Sequence, residues 1–565
     1  MMNTEQLFVK AYELQSKNQL QEAIPIYEEL LSIDPKHSQA LHYLGLCHGV
    51  SGNLEEAIRC FEQAIASDSG NAIIHNNLAN AYKKTRQLDK AILHYQTAID
   101  LDQNYAAAHH NLATVYDANN QYQEALSHYH KAVHANPAFV AAHFNLGVLL
   151  LKHNQLNAAK KQFNNVLTLE PENTNAAFYL GILYLEANAL SESEACFQQV
   201  IQKDNTHVEA LTNLGVIAIK RDEGQLAVDY FTKALAIDNS HVEARNNLAA
   251  TFMHHDRFEN ALMHYDVLLE NDPNNPEYLY NMGVAQMALG HLSEAKCHFE
   301  QLLEANPEHF AALNNLAAIF NRLNEKEKAK ELLQRAVNAN PLDAASKHML
   351  QALTGEGSTP DTCLPYTQNL FNNYALYYDE HVQKQLHYKM PQRIAETLHE
   401  LNLLAVNKGL DLGCGTGLTG IVMREACKHL TGVDISAKML AVAQKKAIYD
   451  VLIESDVLAF LASNKDQYPL VIAADVLPYI GDLAPLFTAL KKRLSETGFF
   501  IFSTEISADK PWQLQPTARF SHHPDYIKRL CEENGLVLCQ SESFAARVQE
   551  NTPLNVMLYV AQNKG

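Results

Sequence analysis

The chain has 565 residues, 47% hydrophobic and 19% charged, with a single Trp, enough for several domains or one long repeat array. Its 44 Lys and Arg against 64 Asp and Glu give a formal charge of −20, and most of it is local: 1–350 carries −16 and 351–565 carries −4. An acidic first part with no Lys/Arg-rich run excludes nucleic acid as its direct partner, and nine scattered cysteines with no C-x-x-C pair exclude a disulfide framework and a thiolate zinc site.

The N-terminus, MMNTEQLFVKAYELQ, has no basic stretch followed by an apolar core, and no apolar run reaches the ~18 residues of a spanning helix. The expectation is a cytoplasmic protein with no membrane partner. The 27 His include His109, His110, His128, His130 and His134 close in sequence. Their polar, Gln/Asn-rich surroundings read as solvated or packing histidines, so no metal is expected.

From about residue 4 to 341 the sequence repeats with a period of 34 and no insertion. A small residue recurs at Ala11, Gly45, Ala79, Ala113, Gly147, Gly181, Gly215, Ala249, Gly283 and Ala317. Twelve residues on stand Ala23, Ala57, Ala91, Ala125, Ala159, Ser193, Ala227, Ala261, Ala295 and Ala329. Four further on stands a ring, from Tyr27 and Phe61 to Tyr265 and Phe299, with Leu333 last. Pro closes six repeats, at 35, 137, 171, 273, 307 and 341. Small residues let paired helices approach, the ring fills the space between them, and Pro stops the second helix, so each repeat is predicted to be two helices.

These columns resemble the tetratricopeptide repeat (TPR) family over roughly 340 residues. The resemblance implies an all-α superhelical solenoid whose concave groove binds a protein or peptide and performs no chemistry itself. Asn77, Asn111, Asn145, Asn213, Asn247, Asn281 and Asn315 form a further column, broken at Val9, Tyr43 and Tyr179. An amide both donates and accepts, so such a column can hold a peptide main chain whatever its side chains. It is similar to the asparagine ladder of O-linked N-acetylglucosamine transferases; the alternative is that the amides only join adjacent first helices. The array's charge predicts a neutral or basic partner whose binding weakens with salt.

LDAASKHMLQALTG reads as a capping helix, and TGEGSTPDTCLP as a linker. The predicted organisation is a repeat array over 4–354, a linker over 355–366 and a catalytic domain over 367–565. In the last, strands are predicted at 409–412, 430–434, 451–455, 469–475, 499–504, 536–541 and 555–562. Helical patterns between the first five make a parallel, doubly wound α/β sheet, and the last two, joined without a crossover helix, imply a reversed final strand.

The first strand runs into DLGCGTG. Gly415, Gly417 and Gly420 fit the dinucleotide spacing G-x-G-x-x-G, which leaves an NAD(P)-dependent reductase open. Against it, Asp411 precedes the loop, where a carboxylate repels pyrophosphate but accepts from an ammonium. Asp434 ends the second strand, where ribose hydroxyls are gripped, and Asp456 follows the third, where an adenine amine can donate.

These residues resemble the class I S-adenosylmethionine (SAM)-dependent methyltransferases, a seven-stranded Rossmann-like fold, over essentially all of 367–565. The resemblance implies SAM as cofactor, with Asp411, Gly413, Gly415 and Gly417 around its methionine end, Asp434 and Ile435 at the ribose and adenine, Asp456 and Val457 at the adenine edge, and Ala474, within AADVLPYI, facing the methyl group. FNNYALYYDEH matches the F-x-x-x-A-x-x-Y-D pattern of small-molecule carboxyl and ubiquinone/biotin-pathway methyltransferases, which implies Tyr378 roofing the cofactor and Phe371 packed beneath it. The whole chain resembles the bacterial TPR-containing predicted methyltransferases.

A sulfonium already activates its methyl, so positioning and water exclusion dominate and a base is needed only when the acceptor must lose a proton. The N-P-P-Y/F motif of nitrogen methylation, a Pro-Cys nucleophile and a radical-type cysteine cluster are all absent from the sequence. The expected acceptor is a carboxylate or hydroxyl oxygen of a small molecule or of a recruited protein. Asp475, Tyr479, His522 and His523 are the candidate catalytic residues, the alternative for the His pair being helix capping. Cys414 reads as a small filler. The competing functional class is a TPR scaffold whose second domain binds SAM without turnover.

Overall fold

The computed structural model describes residues 3–355, 363–375, 378–549 and 552–565. It divides into two compact parts, Met1–His255 and Asp256–Gly565. The division falls inside the repeat period rather than at the linker, because each repeat of a solenoid packs only on its neighbours and offers many equivalent places to divide.

Met1–His255 is helical throughout its described residues. First helices such as Thr4–Ser16, Ser38–Val50 and Ala72–Lys84 have 13 residues, and second helices such as Leu20–Ile33, Leu54–Ser67 and Leu88–Leu101 have 14. The same pair recurs in the second part at Pro276–Ala288 and Leu292–Ala305, then at Phe310–Arg322 and Lys326–Ala339, followed by the capping helix Ala344–Thr354. Pro171 lies two residues past the end of the helix Leu156–Leu169, as its missing N–H requires. The turn inside each repeat contains one residue with positive φ, at Asn18, Gly52, Arg86, Asn120, Asn154, Asn188, Asp222, Asp256, Gly290 and Asn324. Asn, Asp and Gly tolerate that backbone, and Arg86 alone departs from them.

The small residue and the ring are matched by kind. Gly45, Gly147, Gly181, Gly215 and Gly283 face Phe61, Phe163, Phe197, Phe231 and Phe299, with an added Cβ falling 2.5–2.9 Å from the ring. Where Ala takes the Gly position in the first nine repeats the ring is Tyr. Three of those hydroxyls are anchored: Tyr27 donates to Gln15 at 2.9 Å, Tyr95 donates to Asn80 at 2.6 Å, and Tyr265 accepts from Asn281 at 3.0 Å. Gly283→Ala gains ~1 kcal/mol of helix propensity but drives a methyl into a buried ring, and overpacking of ~1–3 kcal/mol wins. The variant is expected to be less stable by about 1 kcal/mol, and adding Phe299→Tyr, whose hydroxyl lies in register with Asn315, should recover most of it. Urea denaturation of both full-length variants checks this; equal midpoints for single and double variant would contradict the pairing.

The remainder of the second part is an α/β sheet of nine strands among the described residues: β1 Val406–Leu412, β2 Cys427–Asp434, β3 Val451–Glu454, β4 Tyr468–Ala473, β5 Leu494–Ile506, β6 Trp512–Leu514, β7 Phe520–His522, β8 Leu536–Gln549 and β9 Thr552–Asn563. β3-β2-β1-β4-β5 are parallel, and β9 is antiparallel to both β5 and β8. All seven predicted strands are present with the reversed last one. The added hairpin β6–β7, whose β7 pairs with the end of β5, has strands of three residues, too short to show a period. Leu410, Leu412, Val471, Phe500 and Phe502 bury one sheet face, while Leu430, Leu470, Ile472 and Ile501 bury the other. Apolar residues on both faces are what a covered parallel sheet needs. Residues 356–362 of the predicted linker lie outside the described residues. The helix Leu364–Tyr374 begins three residues before the expected domain start.

Candidate active site

A cavity opens where β1, β2 and β4 end, the place at which open parallel sheets bind ligands. Its walls include Tyr378, Gly413, Gly415, Asp434, Ile435, Asp456, Val457, Ala474, Asp475 and Tyr479.

The loop after β1 is shaped by three left-handed glycines, Gly413, Gly415 and Gly417. Gly413, at φ 66°, turns where a Cβ would meet Val476 at 2.0 Å, and Gly415, at φ 54°, has open space where a Cβ would stand. Asp434 bridges the loop to the next turn: one carboxylate oxygen accepts from Gly415 N at 2.8 Å and the other from Ser436 N at 2.8 Å. Burial raises its pKa, opposed by those backbone bonds. A carboxylate has about four acceptor positions, so these backbone bonds leave Asp434, which lines the cavity, with acceptor capacity for a ligand. Asp456 caps the helix Val457–Ser463, accepting from Leu458 N and Ala459 N at 2.9 Å each.

Two expected cofactor residues do not line the cavity. Asp411 is 1% exposed and its carboxylate accepts from the Tyr449 hydroxyl at 2.6 Å, so it braces the loop from below. Gly417 instead makes room for packing, since a Cβ there would meet Ile448 at 2.9 Å and Tyr449 at 3.1 Å. Gly420 and Gly432 open space for the same ring, with Cβ positions 2.1 and 2.9 Å from Tyr449. The spacing that imitates a dinucleotide motif is thus partly the socket of a tyrosine.

Burial, opposed by the Tyr449 bond and reinforced by the nearby charge of Asp434, raises the Asp411 pKa to about 7. A carboxyl raised in the fold destabilises it once ionised; the penalty is absent below the unfolded pKa near ~4, grows through the interval and is complete above about 7. Asp411→Asn keeps an acceptor for Tyr449 and is expected to raise the melting temperature at pH 8, with a smaller gain at pH 5. A gain that is equal at both pH values, or larger at pH 5, would show that ionisation is not the cause.

The roof over the cavity comes from the helix Leu364–Tyr374 and the residues after it. Asn372 accepts from the Ser436 hydroxyl at 2.6 Å, Gln368 donates to Ile435 O at 3.3 Å, and Asp379 takes both the Thr416 hydroxyl and the Lys446 ammonium. Phe371 and Tyr378 line the cavity with ring centroids 6.5 Å apart.

At the other end stand Asp475 and Tyr479. Asp475, at φ 60°, accepts from Arg519 at 2.5 Å on one oxygen and from Arg547 at 2.7 Å on the other. Glu505 pairs with the same two guanidiniums at 3.0 and 3.7 Å, and Arg519 lies 5.2 Å over the Tyr479 ring. The structure does not bring the histidine pair here. His522 is fully buried with Nε2 at 3.0 Å from both Ile480 O and Gly481 O, and burial lowers its pKa to about 4. His523 caps the helix Pro524–Glu533 by accepting from Asp525 N. For His523 the geometry matches the capping alternative, whereas His522 caps no helix and ties β7 to the Ile480 and Gly481 carbonyls.

Residues 382–541 match the methyltransferase domain family. Tetratricopeptide repeat families match 7–37, 51–85, 72–105, 94–127, 116–165, 148–208, 215–276 and 280–344. The chain joins multiple tetratricopeptide repeats to a methyltransferase domain. Relatives of that domain include a ubiquinone biosynthesis O-methyltransferase of Pasteurella multocida, 26% identical over 144 residues (23% of this chain, 60% of the relative). One of Vibrio cholerae is 29% identical over 125 residues (21% and 51%). The chain thus spans roughly half to three fifths of the length of these relatives. Among solved structures, YrrB, a TPR protein with an unusual peptide-binding site, is 28% identical at a TM-score of 0.31, covering 33% of this chain and 95% of its own. MamA is 26% identical at 0.27, covering 28% and 94%.

In the methyltransferase domain the Asp434 bridge also weakens the dinucleotide reading, because the Gly415 N–H that would meet a pyrophosphate is held by a carboxylate. Among the described residues no group of three or more His, Cys, Asp or Glu could hold a metal, and no helix is long and apolar enough to cross a membrane.

In the repeats, the asparagine column is half-buried. Asn77 bonds His42 at 2.9 Å, Asn111 donates to Asn76 at 3.0 Å and Asn145 bonds His110 at 2.9 Å, each reaching the preceding first helix. Asn281 and Asn315 donate to the hydroxyls of Tyr265 at 3.0 Å and Tyr280 at 3.5 Å, and Asn213 donates to Glu209 O in its own helix at 2.8 Å. Asn247 accepts from Thr251 through its backbone carbonyl at 2.6 Å. Joining adjacent helices is therefore a role most of these amides perform.

Sequence reasoning missed Tyr449, Asn372, Asp379, Arg519 and Arg547. Asp379 lay inside the quoted FNNYALYYDEH, and the empty volume of Gly417, Gly420 and Gly432 was a signal for a ring. The two arginines follow no motif.

Proposed function

We propose that the chain is a SAM-dependent methyltransferase that transfers methyl to an oxygen acceptor, a carboxylate or hydroxyl, on a small molecule or on a protein brought by the repeats. The observation that carries the reading is the cavity in which Asp434, with acceptor capacity to spare, faces the open side of Gly415. These residues fit the cofactor: Asp434 for the ribose diol, Ile435 and Val457 for the faces of the adenine, Asp456 and the main chain beside it for the adenine edge, and the Gly413–Gly415 backbone for the methionine end. When bound, SAM supplies a methyl already activated by its sulfonium. Phe371, Tyr378 and the Asn372–Ser436 and Asp379–Thr416 ties cover the cavity and exclude water. Ala474, Asp475 and Tyr479 bound the acceptor end. With both oxygens of Asp475 held by arginines and the histidines elsewhere, an acceptor that arrives ionised is the one these residues suit, since it needs no base. The relatives' names support oxygen as the acceptor atom.

The groove of the acidic repeats, with Asn77, Asn111, Asn145, Asn213, Asn247, Asn281 and Asn315 as candidate contacts, is proposed to recruit a neutral or basic protein segment. The same locked Asp475 also favours a second reading, a scaffold that binds SAM without turnover. One experiment addresses both: the full-length protein is incubated with methyl-labelled SAM and a size-fractionated lysate from its source. Label in macromolecules, reduced by excess full-length Asp434→Ala chain as competitor for the partner, supports recruitment. Label only in small molecules removes recruitment of the substrate. SAM binding with no label transferred favours the scaffold, and no SAM binding removes the cofactor reading.

A further inference from the structure

The capping helix Ala344–Thr354 has two occupied faces. One packs Met349, Leu350 and Leu353 on Leu313, Phe320, Leu332 and Leu333 of the last repeat, with Ser346 donating to Asn314 at 2.8 Å. The other places Ala352 in an apolar cluster with Leu514, Ala518 and Phe520 of the β6–β7 hairpin. His348, 7% exposed, lies at that second face with its ring 5.0 Å from Tyr366 and 6.0 Å from Phe520. Its Nε2 is 3.1 Å from Ala518 O, so that nitrogen carries the proton and donates.

Ala518 is an unusual residue to hold. Its φ is 59°, a left-handed conformation that costs an alanine about 1 kcal/mol or more, and it is 1% exposed. Such a backbone persists only when its surroundings fix it, and here these are the Ala518 N bond to Gln515 O at 2.9 Å, the Gln515 N bond to Arg519 O at 2.8 Å and the His348 bond. The next residue is Arg519, which reaches Asp475 and Tyr479 at the acceptor end of the cavity. Asp475 is itself left-handed, pinned through its N–H to Ser503 Oγ at 2.9 Å. The strained Ala518 thus immediately precedes one end of the ion pair, and the other end, Asp475, is fixed in its turn by Ser503.

We infer that His348, a residue of the repeat array's cap, is a positioning residue for the methyltransferase site: by holding the Ala518 carbonyl it aims Arg519 at Asp475 and sets how much of that carboxylate's charge the cavity feels. The inference rests on the SAM reading above, because the charge is sensed by a sulfonium. Loosening the turn leaves Asp475 less compensated, which attracts cationic SAM and is felt far less by S-adenosylhomocysteine, which lacks the sulfonium charge.

The test measures dissociation constants for SAM and S-adenosylhomocysteine by calorimetry on the full-length protein. His348→Ala is expected to shift their ratio toward SAM by about threefold or more, while His348→Gln, whose amide N–H can reach the same carbonyl, stays near the natural ratio. Placed on Asp475→Asn, His348→Ala is expected to leave the ratio unmoved. The single Trp, Trp512 of β6, stacks edge-on 5.8 Å from Phe520, so its emission checks that the hairpin remains folded in each variant. Should His348→Ala lose the cooperative melt, His348→Asn, too short to reach Ala518, replaces it. Equal weakening of both ligands, or a shifted ratio that persists on Asp475→Asn, overturns the inference and leaves the cofactor reading standing. If the natural protein binds neither ligand, the cofactor reading fails and this inference with it.

Discussion

Asp434→Ala is expected to weaken SAM binding by about two orders of magnitude or more. Hydrogen bonds to a charged group contribute ~1.5–3 kcal/mol each, and a ribose diol would lose two of them; ~3 kcal/mol is already more than a hundredfold. The same change frees Gly415 N and Ser436 N, which Asp434 now holds at 2.8 Å each, so the loop loses its tie to the turn after β2. Asp434→Asn separates the two contributions, since its amide oxygen keeps one acceptor while the charge goes, and an intermediate loss is expected. Calorimetric titration of the three proteins decides it. Affinity of Asp434→Ala within about threefold of the natural protein would mean that the ribose is not held there.

The largest stability effect is expected at Arg519. Two carboxylates and two guanidiniums cluster with Arg519 and Glu505 buried and Asp475 and Arg547 mostly so, and Asp475 and Glu505 each face both guanidiniums. Removing one partner of a buried pair costs ~3–5 kcal/mol, because the charge left behind stays desolvated. Arg519→Met should therefore destabilise the sheet domain by about that amount in chemical denaturation. Burial already raises the Glu505 pKa, with Arg519 opposing the rise. Without Arg519 it should rise further, so the deficit of the variant is expected to shrink as pH falls and Glu505 takes up a proton. Arg519→Met with Glu505→Gln should recover part of the loss at neutral pH. A deficit under 1 kcal/mol, or one that grows on acidification, would show that the cluster is not held by charge.

The fold was legible wherever the chain repeats itself or follows a period. Ten returns of a small residue and nine of a ring at one spacing fix two helices per repeat. The five parallel strands and the reversed last one followed from apolar runs between helical patterns. The β6–β7 hairpin was not legible, because three-residue strands owe their existence to the edge of β5 that they extend. Among the site residues, Gly413, Gly415, Asp434, Asp456, Asp475 and Tyr479 stand at the cavity, while Asp411, Gly417, His522 and His523 do not. A motif specifies which residues follow a strand, but whether a side chain points into a cavity or beneath it depends on what else claims it. Tyr449 claims Asp411, and the carbonyls of Ile480 and Gly481 claim His522.

By itself the sequence determined the two kinds of architecture, the register of the repeats, the place of the glycine loop and the concentration of negative charge in the array. These are properties of local spacing and composition, which hydrophobic periodicity and backbone sterics translate directly. Only the tertiary structure decided that Asp475 is neutralised by Arg519 and Arg547 and that the cap of the array touches the hairpin bearing Arg519. Those contacts join residues 44, 72 and 170 positions apart, and no local pattern encodes a contact that only the packing of distant elements closes.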